Sequence, residues 1–148
     1  DIEPSRGLGD VYKRQHIGGP IHLGEYEGKQ ALTHREWRKA MMRLSRLPNI
    51  KVKLGGLGMK VNGAKFHLNH NPPNSSQLAD IWKSWIYETI DMFGVERCMF
   101  ESNFPVDKGS CSYGSLWNAF KIISENMSDN EKNKLFYENA AKTYKIKL

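Results

Sequence analysis

Residues 50–58 read Ile50-Lys51-Val52-Lys53-Leu54-Gly55-Gly56-Leu57-Gly58. Apolar residues and lysines alternate through the first five positions, and two of the three apolar ones are β-branched. That is the pattern of a strand with one apolar face. Lys51 and Lys53 point to the opposite face, which is solvent on an outer strand and the lumen in a closed barrel. The glycines after Leu54 end the strand in a permissive turn.

Upstream, Thr33 to Leu47 (THREWRKAMMRLSRL) carries Trp37, Ala40, Met41, Leu44 and Leu47 on one stripe and predicts a helix. Thr33 and Glu36 have capping-box spacing at its start, and Pro48-Asn49 ends it. Downstream, residues 59–75 show no periodicity and carry His67 and His70. Loops of that length in compact domains are often functional.

A second helix is expected over 76–93, with Leu78, Ile81, Trp82, Trp85, Ile86, Ile90 and Phe93 on one side and Gly94 at its end. RCMFE (Arg97 to Glu101) reads as a second strand and runs into SNFPVD. A third helix is expected over 115–125. Ser128 and Glu131 cap a fourth that runs to about Ala141. Strands alternating with amphipathic helices imply a parallel α/β sheet. Two strands are too few for such a sheet, so the chain reads as part of a larger fold.

The chain has 148 residues, 39% of them hydrophobic, with four tryptophans, as in a globular domain. It lacks an apolar run long enough to span a membrane. The net charge of +6 is spread along the chain without aromatic-basic interleaving, so it reads as solvated helix faces rather than a nucleic-acid footprint. Cys98 and Cys111 lack metal-site spacing and suit a reducing, cytoplasmic setting. The expected partner is a small-molecule substrate, with neither nucleic acid nor membrane.

In parallel α/β folds, functional groups collect at the carboxyl ends of strands. Three such ends can be read: His16, if a strand precedes it; Lys53 with its glycine turn; and Glu101 through Asp107. A histidine and carboxylates at neighbouring strand ends suit a divalent metal or an activated water. Each also has a plainer reading. His16 could be a turn histidine, Glu101 a structural partner of Lys53, and His67 and His70 solvated loop residues.

HIGGP (residues 16–20), LPNIKVKLGGLGM (47–59), FGVERCMFESNFPVDKGSCSY (93–113) and NAAKTYKI (139–146) together resemble the amidohydrolase-related family, in its lactonase-like branch. The resemblance runs from His16 to the end. It implies the C-terminal part of a (β/α)8 TIM barrel, with IKVKL and RCMFE as about strands seven and eight, and an incomplete barrel in this chain. His16 resembles the family histidine at the end of strand six. The family's His-x-His strand would lie upstream. The family's eighth-strand motif carries an aspartate where this chain has Asn103, and an amide cannot serve as a base near neutral pH. Asp107 is the expected substitute.

The resemblance therefore implies a metal-dependent hydrolase acting on a small cyclic ester (lactone), amide or carboxylated substrate. Asp107, Asn103 and Glu101 would form the catalytic group, and Lys53 and His67 would bind substrate. His16 would bind a zinc or manganese ion or polarise a carbonyl. A barrel needs about 250 residues to close, so this chain alone is expected to be inactive. The alternative is a ligand-binding barrel that lost its base at Asn103.

The first fifteen residues offer no core-forming strand ahead of HIGGP. DVYKRQ (10–15) is what GAT GTG TAT AAG AGA CAG encodes, and that string resembles the end of a transposon adaptor used in DNA library preparation. Residues 1–15 are accordingly read as a non-native, disordered segment, with the domain beginning at His16.

Overall fold

The computed structural model describes residues 12–147. Three strands form one parallel sheet in the order β1 (Tyr12–Arg14), β2 (Ile50–Leu54), β3 (Cys98–Phe100). Five α-helices accompany them: α1 (Gln30–Ser45), α2 (Ser75–Phe93), α3 (Tyr113–Ile123), α4 (Asp129–Asn133) and α5 (Asn139–Tyr144). A π-helical turn, Lys134–Glu138, joins the last two.

β2 spans the expected residues, with Ile50, Val52 and Leu54 buried and the two lysines half-buried. Its register sets Lys13 beside Lys51 and Lys53 beside Met99. One face of the sheet therefore carries the lysines. The other joins Ile50, Val52, Leu54, Cys98 and Phe100 to the helices in a single apolar core. Trp82 and Phe120 are its largest fully buried side chains, from α2 and α3. Burying a side chain of this size stabilises the fold by a few kcal/mol, so these helices anchor the sheet.

β1 corrects the expectation of disorder upstream of His16. Tyr12–Arg14 pairs in parallel with Ile50, Lys51 and Val52 although all three of its residues are exposed. The reason is physical. β2 has an edge of unpaired amides and carbonyls, and an extended segment satisfies them through its backbone whatever its side chains. Residues 1–11 lie outside the described residues.

The helix boundaries also shift. α1 begins at Gln30, so Thr33 lies inside the helix. Its hydroxyl donates to the carbonyls of Lys29 and Gln30 rather than capping the start. Trp37 and Met41 are buried as expected, whereas Leu47 lies beyond the helix and is 49% exposed. α2 starts at Ser75 because Asn74 and Gln77 make a reciprocal capping box. α3 starts at Tyr113, two residues early, with Ser112 as its cap. The Ser128–Glu131 box opens α4 as expected. The loop after β2 contains two single 3-10 turns, Lys60–Asn62 and Phe66–Leu68.

Asn139, at the start of α5, is 5% exposed, and its amide donates to the carbonyls of Val95 and Cys98 at 2.7 and 2.8 Å. The C-terminal helix is thereby tied to the beginning of β3.

Candidate active site

All three strands run in one direction, so their carboxyl ends lie side by side. His16 follows β1, Gly55 and Gly56 follow β2, and Glu101 follows β3. His16 and Glu101 thus flank the middle strand and meet across its end. Glu101 Oε1 accepts from His16 Nδ1 at 2.8 Å and from the His16 backbone N–H at 3.0 Å. Its other oxygen, Oε2, pairs with Lys53 Nζ at 2.5 Å. Glu101 is 8% exposed, Lys53 20% and His16 33%.

This meeting depends on two missing side chains. A Cβ on Gly55 would lie 2.2 Å from the Glu101 carbonyl oxygen, and one on Gly56 would lie 2.8 Å from the His16 ring. Gly56 also sits at φ +70°, a conformation that side chains disfavour. The glycine pair therefore opens the gap through which the two side chains reach each other.

His16 is held in an unusual turn. His16 and Ile17 both have φ 51°, and Gly18 and Gly19 follow at 86° and 57°. A left-handed non-glycine residue costs about 1–2 kcal/mol. Complete burial of Ile17 and a 2.7 Å hydrogen bond from Trp37 Nε1 to the Ile17 carbonyl offset that cost. In the neutral ring, a Glu101 carboxylate accepting at Nδ1 places the proton there and leaves the lone pair on Nε2.

After β3 the chain turns back on itself. Asn103, at φ 55°, donates from Nδ2 to Asp107 Oδ1 at 2.8 Å. Asp107 is fully buried, and its Oδ2 has no hydrogen-bond partner among the described residues. Burial pushes its carboxyl above the ordinary value, against the opposing pull of Asn103 and the Gly58 backbone. His16 and Glu101 act on it electrostatically from nearby, while its direct side-chain contacts are with Asn103 and Gly58. Gly58 packs against the carboxylate, and Ser110 Oγ donates to the Gly58 carbonyl at 2.6 Å.

The structure brings together five of the six residues singled out in the sequence: His16, Lys53, Glu101, Asn103 and Asp107. It does not bring in His67, which is exposed on the Phe66–Leu68 turn away from these contacts. Among the described residues, no group of three or more His, Cys, Asp or Glu side chains could hold a metal ion. His16 therefore lacks a ligand set of its own here. Sequence reading missed the spacing role of Gly55-Gly56 and the Trp37 bond to Ile17. The adjacent glycines were the available signal. Trp37 was read only as core.

Comparison with known proteins decides the family. An amidohydrolase family profile matches residues 15–146. The chain belongs to the amidohydrolase family. It is 38% identical over 150 aligned positions to the protein y4mH of Sinorhizobium fredii, across 98% of this chain and 42% of that one. An alignment of that extent takes in part of the stretch upstream of His16. It is also 27% identical to the L-fucono-1,5-lactonase of Burkholderia multivorans, over 88% of this chain and 42% of that enzyme.

Among solved structures, an amidohydrolase from Burkholderia multivorans superposes with a TM-score of 0.76 and 26% identity when bound to HEPES. A zinc-bound form of an amidohydrolase from the same organism superposes with a TM-score of 0.75. The HEPES-bound match covers 93% of this chain and 45% of that one. The chain thus spans less than half the length of these relatives. No helix among the described residues is long and apolar enough to cross a membrane.

Proposed function

We propose that this chain is the C-terminal part of a (β/α)8 hydrolase, with β2 and β3 as about the seventh and eighth strands. Its reaction is the opening of a small cyclic ester, a lactone, or a related amide or carboxylated ring. The observation that carries this reading is the convergence of His16, Lys53, Glu101 and Asp107 at the carboxyl ends of parallel strands, where such folds hold their chemistry. The likeness to L-fucono-1,5-lactonase supports the substrate class.

In lactone opening, water adds to the ester carbonyl, the ring C–O bond breaks, and the ring oxygen takes a proton. Asp107 is the base in this reading. Its Oδ2 has a free lone pair, and its raised pKa brings it nearer the range useful for proton transfer. Asn103 is a positioning residue, because its amide holds Oδ1. Glu101 fixes the His16 tautomer, leaving Nε2 to accept a proton or meet a metal. Lys53 has three donors and spends one on Glu101, so the others suit a substrate carboxylate. A zinc or manganese ion at His16 would need further ligands from outside the described residues, so no step is routed through it. Both cysteines are free and buried, in keeping with a reducing, cytoplasmic setting.

The test is to extend the chain with its genomic upstream sequence and follow proton release from sugar lactones, L-fucono-1,5-lactone included. Turnover by the extended protein and none by the 148-residue chain is expected. Asp107→Asn is expected to lower turnover about 10²-fold or more. Lactone binding without turnover would instead establish the ligand-binding barrel that lost its base at Asn103.

A further inference from the structure

The carboxyl group of Asp107 is sealed from solvent. The residue is 0% exposed, and its Oδ2 has no hydrogen-bond partner among the described residues. A base that takes a proton from water must come within hydrogen-bond reach of that water. What covers Asp107 therefore decides when it can act.

Two loops meet there. The loop after β3 carries Asp107 and is locked by its own backbone. The Asp107 N–H donates to the Asn103 carbonyl at 3.2 Å, and the Asp107 carbonyl accepts from the N–H groups of Ser110 and Cys111 at 2.9 and 3.1 Å. Asn103 Nδ2 holds Oδ1 from within the same loop. This side of the contact has little room to swing away.

The cover comes from the loop after β2. A Cβ on Gly58 would lie 3.1 Å from both Cγ and Oδ2 of Asp107, so the bare main chain packs on the carboxylate. The Met59 N–H donates to the Gly56 carbonyl at 3.2 Å, which makes Leu57 and Gly58 the central pair of a tight turn. Leu57 is buried in the core and anchors the first half of that turn. Gly58, in the second half, has the backbone freedom to move without side-chain strain. Ser110 reaches across from the other loop to hold it. That residue is 7% exposed, and its Oγ donates to the Gly58 carbonyl at 2.6 Å.

We propose that Ser110 is a positioning residue that latches Gly58 over Asp107, and that release of the latch admits water to the carboxylate. Ser110 acts through Gly58 and touches no reacting atom. The role of the latch in turnover rests on the reading of Asp107 as the base. The latch itself is measured without substrate.

The test is carboxyl labelling with a water-soluble carbodiimide and glycine ethyl ester, on the chain and on its upstream-extended form. Cleavage after Arg97 and Lys108 yields one peptide, residues 98–108, that holds both Glu101 and Asp107. Mass spectrometry of that peptide reads Asp107 labelling against Glu101, a neighbour that is 8% exposed, as the internal reference. Ser110→Ala is expected to raise the Asp107:Glu101 ratio about two- to tenfold, the population change that one hydrogen bond of ordinary strength sets. Ser110→Thr keeps the hydroxyl and should label as the unsubstituted protein does. Gly58→Ala crowds the carboxylate and leaves the Ser110 hydroxyl in place. It should also raise the ratio, so the proposal stays testable if Ser110→Ala does not fold. An unchanged ratio in the alanine variants would overturn the latch, as would equal labelling of Ser110→Thr and Ser110→Ala. A parallel rise at Asp107 and Glu101 would mean that the whole site loosens, and would overturn it too. A raised ratio, in a protein whose extended form opens no lactone, would uphold the latch and sink the hydrolase reading.

Discussion

Glu101 Oε1 accepts from both the ring Nδ1 and the backbone N–H of His16, at 2.8 and 3.0 Å, across 85 residues of chain. One carboxylate oxygen thus closes β1 onto β3, and the other holds Lys53 of the strand between them. The strand ends are bound together by charge as well as by backbone pairing.

Replacing that carboxylate tests the arrangement. Glu101→Gln leaves Lys53, 20% exposed, without its counter-charge. A loss of about 1.5–3 kcal/mol is expected, the range for hydrogen bonds to charged groups. Urea unfolding of Glu101→Gln, Lys53→Met and the double variant would measure the coupling. Additive effects would mean that the pair contributes nothing of its own.

The glycine pair makes an opposite prediction from a glycine elsewhere. Gly55→Ala drives a Cβ to 2.2 Å from the Glu101 carbonyl oxygen, a backbone atom that cannot swing aside. A destabilisation of about 1–3 kcal/mol or more is expected, with loss of the His16–Glu101 contact. Gly114 lies in α3 with nothing within 4 Å of its added Cβ. Gly114→Ala is therefore expected to raise stability by about 0.5–1 kcal/mol. Thermal melts of the two variants should move in opposite directions.

Asp107 predicts a dependence of stability on pH. Burial raises its folded pKa above the ordinary 3.8. The folded state then holds the proton more tightly than the unfolded state does. The associated stability is fully present below the unfolded pKa and is lost as pH rises through the folded one. Asp107→Asn should flatten that part of the curve. An unchanged slope in urea unfolding at stepped pH would show that Asp107 titrates alike in both states.

The thiols should be inert in the folded chain. Burial pushes Cys98 up to about 12 and Cys111 to about 11, and the nearby Asp107 carboxylate adds to the latter. The thiolate is the reactive form, so a thiol reagent at mildly alkaline pH should label neither until denaturant is added. Prompt labelling of either in native buffer would contradict the packing described.

Much of the local structure was legible because its causes are local. The alternation of Ile50 to Leu54 requires only neighbouring residues, and the Ser128–Glu131 box requires a spacing of three. Asn74 and Gln77 carry the same signal as that box, and the helix they cap was nevertheless read one residue late. Thr33 shows the reverse case: its spacing to Glu36 matches a capping box, yet the helix had already begun at Gln30. Short-range patterns locate a helix better than they locate its end, since several nearby residues compete to satisfy the first amides.

β1 could not be read from its side chains. Tyr12, Lys13 and Arg14 show no apolar face, and the open edge of β2 is what makes them a strand. The candidate site divides in the same way. Residue types and their positions after strands were enough to nominate His16, Lys53, Glu101, Asn103 and Asp107 from sequence. Only the tertiary structure brought Glu101 to His16 through the space left by Gly55 and Gly56, and left His67 outside. It alone also laid Gly58 over Asp107. Periodicity and capping act over a few residues and are written into the chain order. Convergence across 85 residues depends on which strands lie side by side, and the packing of the sheet settles that.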